Sequence, residues 1–318
     1  MTPTRRVVVA GATGNAGREI VREFLARGAH VRALVRNPAK LAGFEGPLES
    51  RQVQLTDPEA IRGSLEGVDI VVSALGKTKQ RGGPSRRAVD VEANLALLEE
   101  ARRVGVSKFI FVSVAMAHPD HPVAMVRMKG EVEKAIEESG LDYVIVQPTG
   151  YFSDLWELFE MAQQGTFWVI GDGKMRFNPI HPRDLAEFLV DRALDVECTA
   201  GRFPIGGPEV FDSPGLVALC EEILERKVRV VHIPLWLARS LVAAVRPFHE
   251  DLWQLGDFFV GNVVYARREY DDDASLPGVG ERRLGDDFRR RYLRGQGEEE
   301  PQRVSGLDLD RPTRPIRP

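Results

Sequence analysis

A glycine-rich turn near the start of the chain constrains the fold more than any other feature. Residues 11–17 read Gly-Ala-Thr-Gly-Asn-Ala-Gly and stand between the apolar run Val7–Ala10 and an amphipathic stretch. In a strand–turn–helix unit, Gly11 permits the tight turn, Gly14 lets the backbone approach a pyrophosphate, and Gly17 lets the helix pack on the strand. The N–H groups at the start of the helix then attract phosphates. The motif predicts a dinucleotide-binding unit.

Short apolar runs alternate with amphipathic stretches along the first half of the chain. These runs are rich in β-branched residues, as in strands that helices cover on both faces. They are Val7–Ala10, Val31–Val35, Ile70–Ser73, Phe109–Ser113 and Tyr143–Val146. Helical patterns lie between them, for example over Ala16–Arg27, Arg87–Val104 and Glu131–Ser139. The alternation predicts an α/β fold with a Rossmann-type, doubly wound parallel sheet.

The pattern changes after residue 150, where helical and extended pieces no longer alternate regularly. We expect an NAD(P)-binding Rossmann core over residues 1–150. Residues 151–270 are expected to complete the sheet and to form a small C-terminal substrate lobe or lid. From about Asp271 the composition shifts toward charge and proline, so residues 271–318 are expected to be a loosely ordered tail.

The residues after the second predicted strand indicate which dinucleotide binds. An NAD site would place an acid there to bind the ribose hydroxyls, but no acid occurs between Ala29 and Lys40. Arg36 can instead bind a 2′-phosphate through two N–H donors, and Lys40 can add a second positive charge. The sequence therefore predicts NADP(H). The expected contacts in the glycine loop are Gly11, Thr13, Gly14, Asn15, Ala16 and Gly17.

Composition excludes several other functions. The chain of 318 residues has 43 Lys+Arg against 47 Asp+Glu, and this balance gives no general attraction for nucleic acid. Two cysteines do not make a disulfide framework, and His118 and His121 lie in a proline-rich loop without further ligands, so no metal site is expected. No signal-peptide pattern or membrane-spanning apolar run is present, so the sequence predicts a cytoplasmic protein without membrane insertion.

Further motifs follow the glycine loop along the first two thirds of the chain. They are Val35-Arg36-Asn37-Pro38, Val72-Ser73-Ala74-Leu75-Gly76, Phe111-Val112-Ser113, Lys129, Gln147-Pro148-Thr149-Gly150 and Asn178-Pro179-Ile180-His181-Pro182-Arg183-Asp184. As a set they resemble the atypical short-chain dehydrogenases/reductases, and most closely the NmrA-like and divinyl-reductase-like branch. The resemblance spans residues 6–195. It implies a Rossmann core that holds the nucleotide at the carboxyl ends of its strands.

The resemblance also implies roles for particular residues. Adenine would lie near Leu55, and Lys129 would hydrogen-bond the nicotinamide ribose. The turn beside that ribose would consist of Ala74, Leu75 and Gly76. Relatives with the full Ser-Tyr-Lys set carry a Tyr four residues before the Lys as general acid. This sequence has Met125 there, and a thioether donates no proton.

Two functions from different classes follow. The first is an NADP(H)-dependent reductase that transfers hydride to a small carbonyl or activated double bond, with Lys129 and Ser113 as catalytic residues. The second is a non-catalytic NAD(P)-binding redox sensor or assembly factor, which Met125 favours. Tyr151 offers a substitute phenol, although packing against the lobe is the favoured interpretation. The expected substrate-binding residues are Tyr151, Phe152 and Trp156.

An aromatic, amphipathic stretch covers residues 235–264. It can close over the active site, pair with a second subunit or rest on a membrane surface. The first two are favoured, because only Arg239 and Arg246 supply positive charge for lipid contact. The expected partner is a small-molecule substrate, and the expected state is a monomer or a homodimer.

Overall fold

The computed structural model describes residues 4–77, 83–269 and 276–296. Its main feature is a seven-stranded sheet with the order β3-β2-β1-β4-β5-β6-β8, in which every pairing is parallel. The strands β7 and β9 pair separately. The strands are β1 (Arg6–Ala10), β2 (His30–Val35), β3 (Leu48–Gln52), β4 (Ile70–Ser73), β5 (Lys108–Val112), β6 (Asp142–Pro148), β7 (Thr166–Ile170), β8 (Ala200–Ile205) and β9 (Arg229–Ile233).

Helices connect the strands and cover the sheet. They are α1 (Asn15–Ala26), α2 (Pro58–Ile61), α3 (Ala93–Val104), α4 (Ala124–Glu137), α5 (Phe152–Gln163), α6 (Pro182–Leu194), α7 (Ser213–Leu224), α8 (Leu235–Val245), α9 (Glu250–Glu269) and α10 (Leu284–Gly295). A 3₁₀ turn, Pro38–Leu41, follows β2, and a π-helical turn, Ala88–Glu92, leads into α3. The predicted doubly wound fold is confirmed.

The alternation of side chains along the central strands fills two cores. On β1, Val7 and Val9 face the cluster that α1 and α6 complete, whereas Val8 faces the cluster formed with α3 and α4. The strand order reverses between β1 and β4, so the loops after these two strands flank the crevice where ligands of such sheets bind. The glycine loop and the turn after β4 therefore meet at one point.

A third core belongs to the second half of the chain. It joins α5, β7, α7 and α10 through buried side chains that include Phe159 and Phe288. The segment expected to be a loosely ordered tail thus contains a packed helix, because Leu284 and Phe288 stand one turn apart and are both fully buried. The rest of that segment, residues 270–275 and 297–318, lies outside the described residues.

The helices α8 and α9 form an antiparallel hairpin beside α4. A Cβ on Gly256 would lie 2.8 Å from a methyl of Val242, so glycine allows the two helices to approach closely. Gly261 does the same for α9 against Val123, at the start of α4. In the part of the chain that the structure describes, no helix is long and apolar enough to cross a membrane.

Candidate functional site

The glycine loop has the backbone geometry that its sequence predicts. Gly11 has a φ of +83°, and a Cβ there would lie 2.6 Å from the carbonyl oxygen of Ala74. A Cβ on Gly17 would overlap the carbonyl oxygen of Gly11 and push α1 off the turn. Gly14 stands at the start of α1, and no described side chain caps that helix end. The first N–H groups of α1 therefore fit a phosphate.

The other loop residues surround the same helix start. Thr13 is half-buried, Ala16 packs against the core, and Asn15 is exposed. The side-chain amide of Asn15 donates to the hydroxyl of Ser153 over 2.6 Å. Since Ser153 belongs to α5, this hydrogen bond connects the loop with the second half of the chain.

Three cationic residues lie beside the loop. The register pairs Ala10 with Leu34, which places the exposed Arg36 two residues farther along, level with the start of the glycine loop. Lys40 is exposed on the 3₁₀ turn. The sequence reasoning missed Arg18, whose guanidinium donates to the backbone oxygen of Lys40 over 2.7 Å. Because Arg18 directly follows Gly17 in the sequence, its position beside the loop could have been predicted.

The turn after β4 forms the other side of the crevice. Ala74 continues the strand, since its N–H donates to the oxygen of Ala10 over 2.9 Å. Leu75 is buried, and Gly76 is exposed. Leu55, expected near adenine, follows β3 and packs against the core on the α3 side. These residues lie at the carboxyl edge of the sheet, as do the loop residues.

Lys129 on α4 reaches this turn. Its ammonium donates to the carbonyl oxygens of Leu75, over 2.8 Å, and Val112, over 3.2 Å, and stands 4.6 Å from the centre of the Phe111 ring. Burial lowers the pKa of Lys129, and the negative charge of Asp90 opposes that shift. Two of the three N–H donors are therefore fixed on the backbone beside the crevice.

Asp90 is a buried partner that the sequence did not reveal. A Cβ on Gly76 would lie 3.8 Å from both the Oδ1 of Asp90 and the Nζ of Lys129, so the two groups approach this glycine together. Asp90 accepts from the N–H of Lys77 over 2.6 Å, and Arg86 lies 3.7 Å away. Burial raises the pKa of Asp90, while the charge of Lys129 opposes the rise.

Arg86 extends this cluster to α9. It is buried, donates to the backbone oxygen of Lys77, and donates through Nε to the Oε1 of Gln254 over 3.0 Å. Gln254 is also buried, and its amide donates to Glu250 over 3.1 Å. A continuous polar chain therefore runs from α9 to Lys129.

Ser113 lies beside a second buried carboxylate. Its hydroxyl donates to Glu133, which stands one helical turn after Lys129. Gln147 donates to both oxygens of that carboxylate, over 2.9 and 3.0 Å, and Arg202 lies 3.5 Å away. Burial raises the pKa of Glu133, and the hydrogen bonds from Ser113 and Gln147 oppose the rise. The hydroxyl proton of Ser113 is thus directed to the carboxylate of Glu133.

The expected substrate-binding residues lie in the first turns of α5 or just before it. Tyr151 begins α5 and packs with the core on the α1 side, and burial raises the pKa of its phenol. Phe152 is fully buried in the third core. Trp156 is half-buried there and stacks on Phe159 with ring centres 4.9 Å apart. Phe152 is therefore a packing residue in this conformation.

Met125 is half-buried on α4, one turn before Lys129. In the loop between β5 and α4, Met116 has an unusual backbone, with a φ of +64°. Such left-handed conformations of non-glycine residues concentrate near functional sites. No group of three or more metal-ligating side chains occurs among the described residues.

Comparison with known proteins identifies the family. A family model described as NAD(P)H-binding matches residues 11–195, which is more than half of the chain. The chain belongs to this NAD(P)H-binding family. The match begins at the first glycine of the loop and ends with α6, so it covers the crevice and Lys129.

Two kinds of curated relatives support the resemblance to the divinyl-reductase-like branch. Photosystem II assembly factor Ycf39 of Guillardia theta is 31% identical over 73% of this chain and 74% of that protein. Divinyl chlorophyllide a 8-vinyl-reductase of Oryza sativa subsp. indica is 33% identical over 79% of this chain and 68% of that protein.

Solved structures confirm the fold. NADPH-dependent quinone oxidoreductase QOR2 from Escherichia coli, complexed with NADPH, has a TM-score of 0.70 and 20% identity, covering 90% of this chain and 99% of that one. Leucoanthocyanidin reductase from Vitis vinifera has a TM-score of 0.71 and 18% identity, covering 91% and 99%.

Proposed function

We propose that this protein is an NADP(H)-dependent reductase that transfers hydride to an activated double bond or small carbonyl. The observation that carries the proposal is the position of Lys129. Its ammonium is fixed on the backbone of the β4 turn, opposite the glycine loop. A nucleotide whose phosphates rest on α1 would extend along this crevice toward that ammonium. When bound, NADPH supplies the hydride.

The phosphate preference rests on Arg36, Lys40 and Arg18. All three lie at the end of β2 or the start of α1, where the adenosine ribose of a bound dinucleotide lies in such folds. No acidic residue occurs between Ala29 and Lys40 to bind the unmodified ribose. The cluster therefore favours NADP(H) over NAD(H).

The reaction also needs a proton, and the usual phenol is replaced by Met125. Lys129 is the group of this chain that supports proton delivery, because its third N–H is not held by the carbonyls of Leu75 and Val112. Burial lowers the pKa of Lys129, which makes its ammonium a better acid. The negative charge of Asp90 opposes that shift and so favours the ammonium form.

Ser113 takes a smaller role in this proposal than the sequence suggested. Because its proton goes to Glu133, the oxygen of Ser113 can accept a hydrogen bond but cannot at the same time donate one to a substrate oxygen. Donation requires that Glu133 be protonated, and the raised pKa of Glu133 favours that form. Ser113 therefore acts on substrate through the state of Glu133.

The second candidate is a nucleotide-binding assembly or sensor protein without turnover. Met125 favours it, since the position of the general acid holds a thioether, and the relative from Guillardia theta is named an assembly factor. In that case the crevice would still bind nucleotide, and Lys129 and Asp90 would stabilise the bound form.

Calorimetric titration with NADPH, NADH, NADP⁺ and NAD⁺ tests the nucleotide first. We expect NADPH to bind most tightly, and Arg36→Glu to weaken NADPH at least about tenfold more than NADH, since a charge-assisted pair contributes about 1.5–3 kcal/mol. Arg62→Glu, at an exposed arginine away from the crevice, is the matched control. Equal losses for both nucleotides would show that Arg36 does not bind the phosphate.

Turnover separates the two candidates. NADPH oxidation is followed at 340 nm with quinones, with vinyl-substituted tetrapyrroles and with small enones as acceptors. Lys129→Met is expected to abolish the reaction that is found. Tight NADPH binding without oxidation by any acceptor class would instead support the assembly or sensor protein.

A further inference from the structure

A buried glutamine of α9 extends the surroundings of Lys129 beyond residues 11–195, which the family model covers. Gln254 is 6% exposed and lies on α9, which packs against α4, the helix that carries Lys129. Its side-chain oxygen accepts the Nε–H of Arg86 over 3.0 Å, and its amide donates to Glu250 over 3.1 Å. Both polar groups of this buried side chain are therefore satisfied within the protein.

Arg86 carries a positive charge inside the protein, since it is buried and a guanidinium keeps its proton. One of its terminal N–H groups donates to the backbone oxygen of Lys77 and stands 3.7 Å from the Oδ2 of Asp90. Its Nε–H is held by Gln254. A separation of 3.7 Å is longer than a hydrogen bond. The guanidinium is therefore shared between two sides and does not close fully onto the carboxylate of Asp90.

Asp90 connects this arrangement to the ammonium of Lys129, since both groups approach Gly76 to the same distance. Burial lowers the pKa of Lys129, and the carboxylates of Asp90 and Glu133 oppose that shift. The guanidinium of Arg86 adds to it. The position of Arg86 therefore determines how much of the negative charge of Asp90 acts on Lys129.

The packing of α9 fixes the place of the glutamine oxygen. Gly261 lets the helix approach Val123, which directly precedes α4. Trp253, the residue before Gln254, packs against the core formed with α3 and α4. A polar side chain held by such packing, with its own hydrogen bonds satisfied, can hold a neighbouring charge in one position.

We propose that Gln254 is a positioning residue for Lys129. By holding the Nε–H of Arg86 on α9, Gln254 keeps the guanidinium from closing onto Asp90. The carboxylate is then left to act on the ammonium of Lys129. The role rests on the proposed reductase function, in which that ammonium supports proton delivery. A residue from the second half of the chain thus takes part in the chemistry of the crevice without touching the reacting atoms.

Two substitutions should change the pKa of Lys129 in opposite directions. In Gln254→Met, a side chain of similar length offers no oxygen, so Arg86 closes onto Asp90 and the pKa of Lys129 should fall. In Arg86→Met, the guanidinium is removed, Asp90 acts on Lys129 without that competitor, and the pKa should rise. A merely loosened fold would hydrate Lys129 and raise its pKa in both variants, because burial is what lowers it.

NMR titration of the full chain measures the protonation of Lys129 without turnover. The ε-carbons of the lysines are isotope-labelled, and the signal that Lys129→Met lacks is assigned to Lys129. The control is Asn262→Asp, which adds a negative charge about two turns farther along α9 and should leave the midpoint unchanged. With an acceptor that is reduced, the rate on the alkaline limb should fall about threefold in Gln254→Met and rise in Arg86→Met.

The directions of the two shifts decide the outcome. A titration midpoint that falls in Gln254→Met and rises in Arg86→Met supports the proposal. Unchanged midpoints, shifts in one direction in both variants, or an equal shift in Asn262→Asp would overturn it. If the midpoints move as expected but no acceptor class oxidises NADPH, the positioning of Lys129 stands and the proposed reductase fails. Circular dichroism confirms folding, and if Arg86→Met does not fold, the direction in Gln254→Met decides alone.

Discussion

Removing the charge of Lys129 or of Asp90 should destabilise the fold, and removing both should cost less than the two losses added together. In Lys129→Met, the carbonyls of Leu75 and Val112 lose their donor, and Asp90 loses one of its cationic neighbours. Loss of one member of a buried ion pair costs about 3–5 kcal/mol when the other charge has no further partner.

The expected cost is smaller for Lys129 and Asp90, because Asp90 keeps other partners when Lys129 is removed. Asp90 retains the N–H of Lys77 at 2.6 Å and the guanidinium of Arg86 at 3.7 Å. We therefore expect about 2–3 kcal/mol for Lys129→Met and a similar loss for Asp90→Asn, with a coupling of about 1–2 kcal/mol between them. The single variants and the double variant are unfolded in urea, with fluorescence and circular dichroism as independent probes of the transition.

The function supplies a second measurement on the same variants. Asp90→Asn keeps the lysine but removes the charge that favours its ammonium. The alkaline limb of the pH–rate profile, where the ammonium loses its proton, should therefore move to lower pH, while Lys129→Met should remove the activity. Additivity of the two unfolding free energies within about 0.5 kcal/mol would refute the reasoning, because it would show that the charges do not interact.

Three further outcomes are expected. Gly17→Ala should weaken NADPH binding at least about tenfold, because a Cβ at this position would overlap the carbonyl oxygen of Gly11. Calorimetric titration measures the affinity. The control is Gly295→Ala, which should bind NADPH normally, since a Cβ there meets nothing within 4 Å. Met125→Tyr should raise the rate of NADPH oxidation by restoring a phenol one turn before the lysine; an unchanged rate would count against the reductase. Burial raises the pKa of Glu133, so its stabilising contribution is present at low pH and is lost as pH rises through the folded-state pKa. As pH rises from acidic to mildly alkaline, the unfolding free energy of the wild type should therefore fall relative to that of Glu133→Gln. Urea unfolding of both proteins at several pH values measures this difference, and a difference that does not change with pH would contradict the reasoning.

The sequence was sufficient for the parts of the fold that local patterns determine. The β-branched runs predicted β1, β2, β4, β5 and β6, five of the seven strands of the parallel sheet, whereas the mostly exposed β3 has no such run. The spacing of Gly11, Gly14 and Gly17 predicted the tight turn between β1 and α1, where a side chain at Gly11 or Gly17 would meet nearby backbone atoms. Lys129 was identified through the family resemblance. Its ammonium contacts the β4 turn, and its role toward a nucleotide stays a prediction.

The partners of the site residues were not predictable in the same way. Asp90 and Glu133 lie in amphipathic helical stretches, where a carboxylate is usually read as part of a solvated face, yet both are buried. Gln254 contacts Arg86 across 168 positions in the sequence, and no local pattern encodes that contact. The packing of α10 had one weak signal, the spacing of Leu284 and Phe288 among many arginines.

The hydrogen bond between Arg86 and Gln254 makes the hairpin and the crevice thermodynamically linked. Arg86 shares its guanidinium between Gln254 on α9 and Asp90, which neighbours Lys129. A displacement of α9 would alter the charge that Lys129 experiences, and a ligand on Lys129 would alter the position that α9 prefers. If a ligand bound to the hairpin changes the affinity of the crevice for nucleotide by some factor, bound nucleotide must change the affinity of the hairpin for that ligand by the same factor.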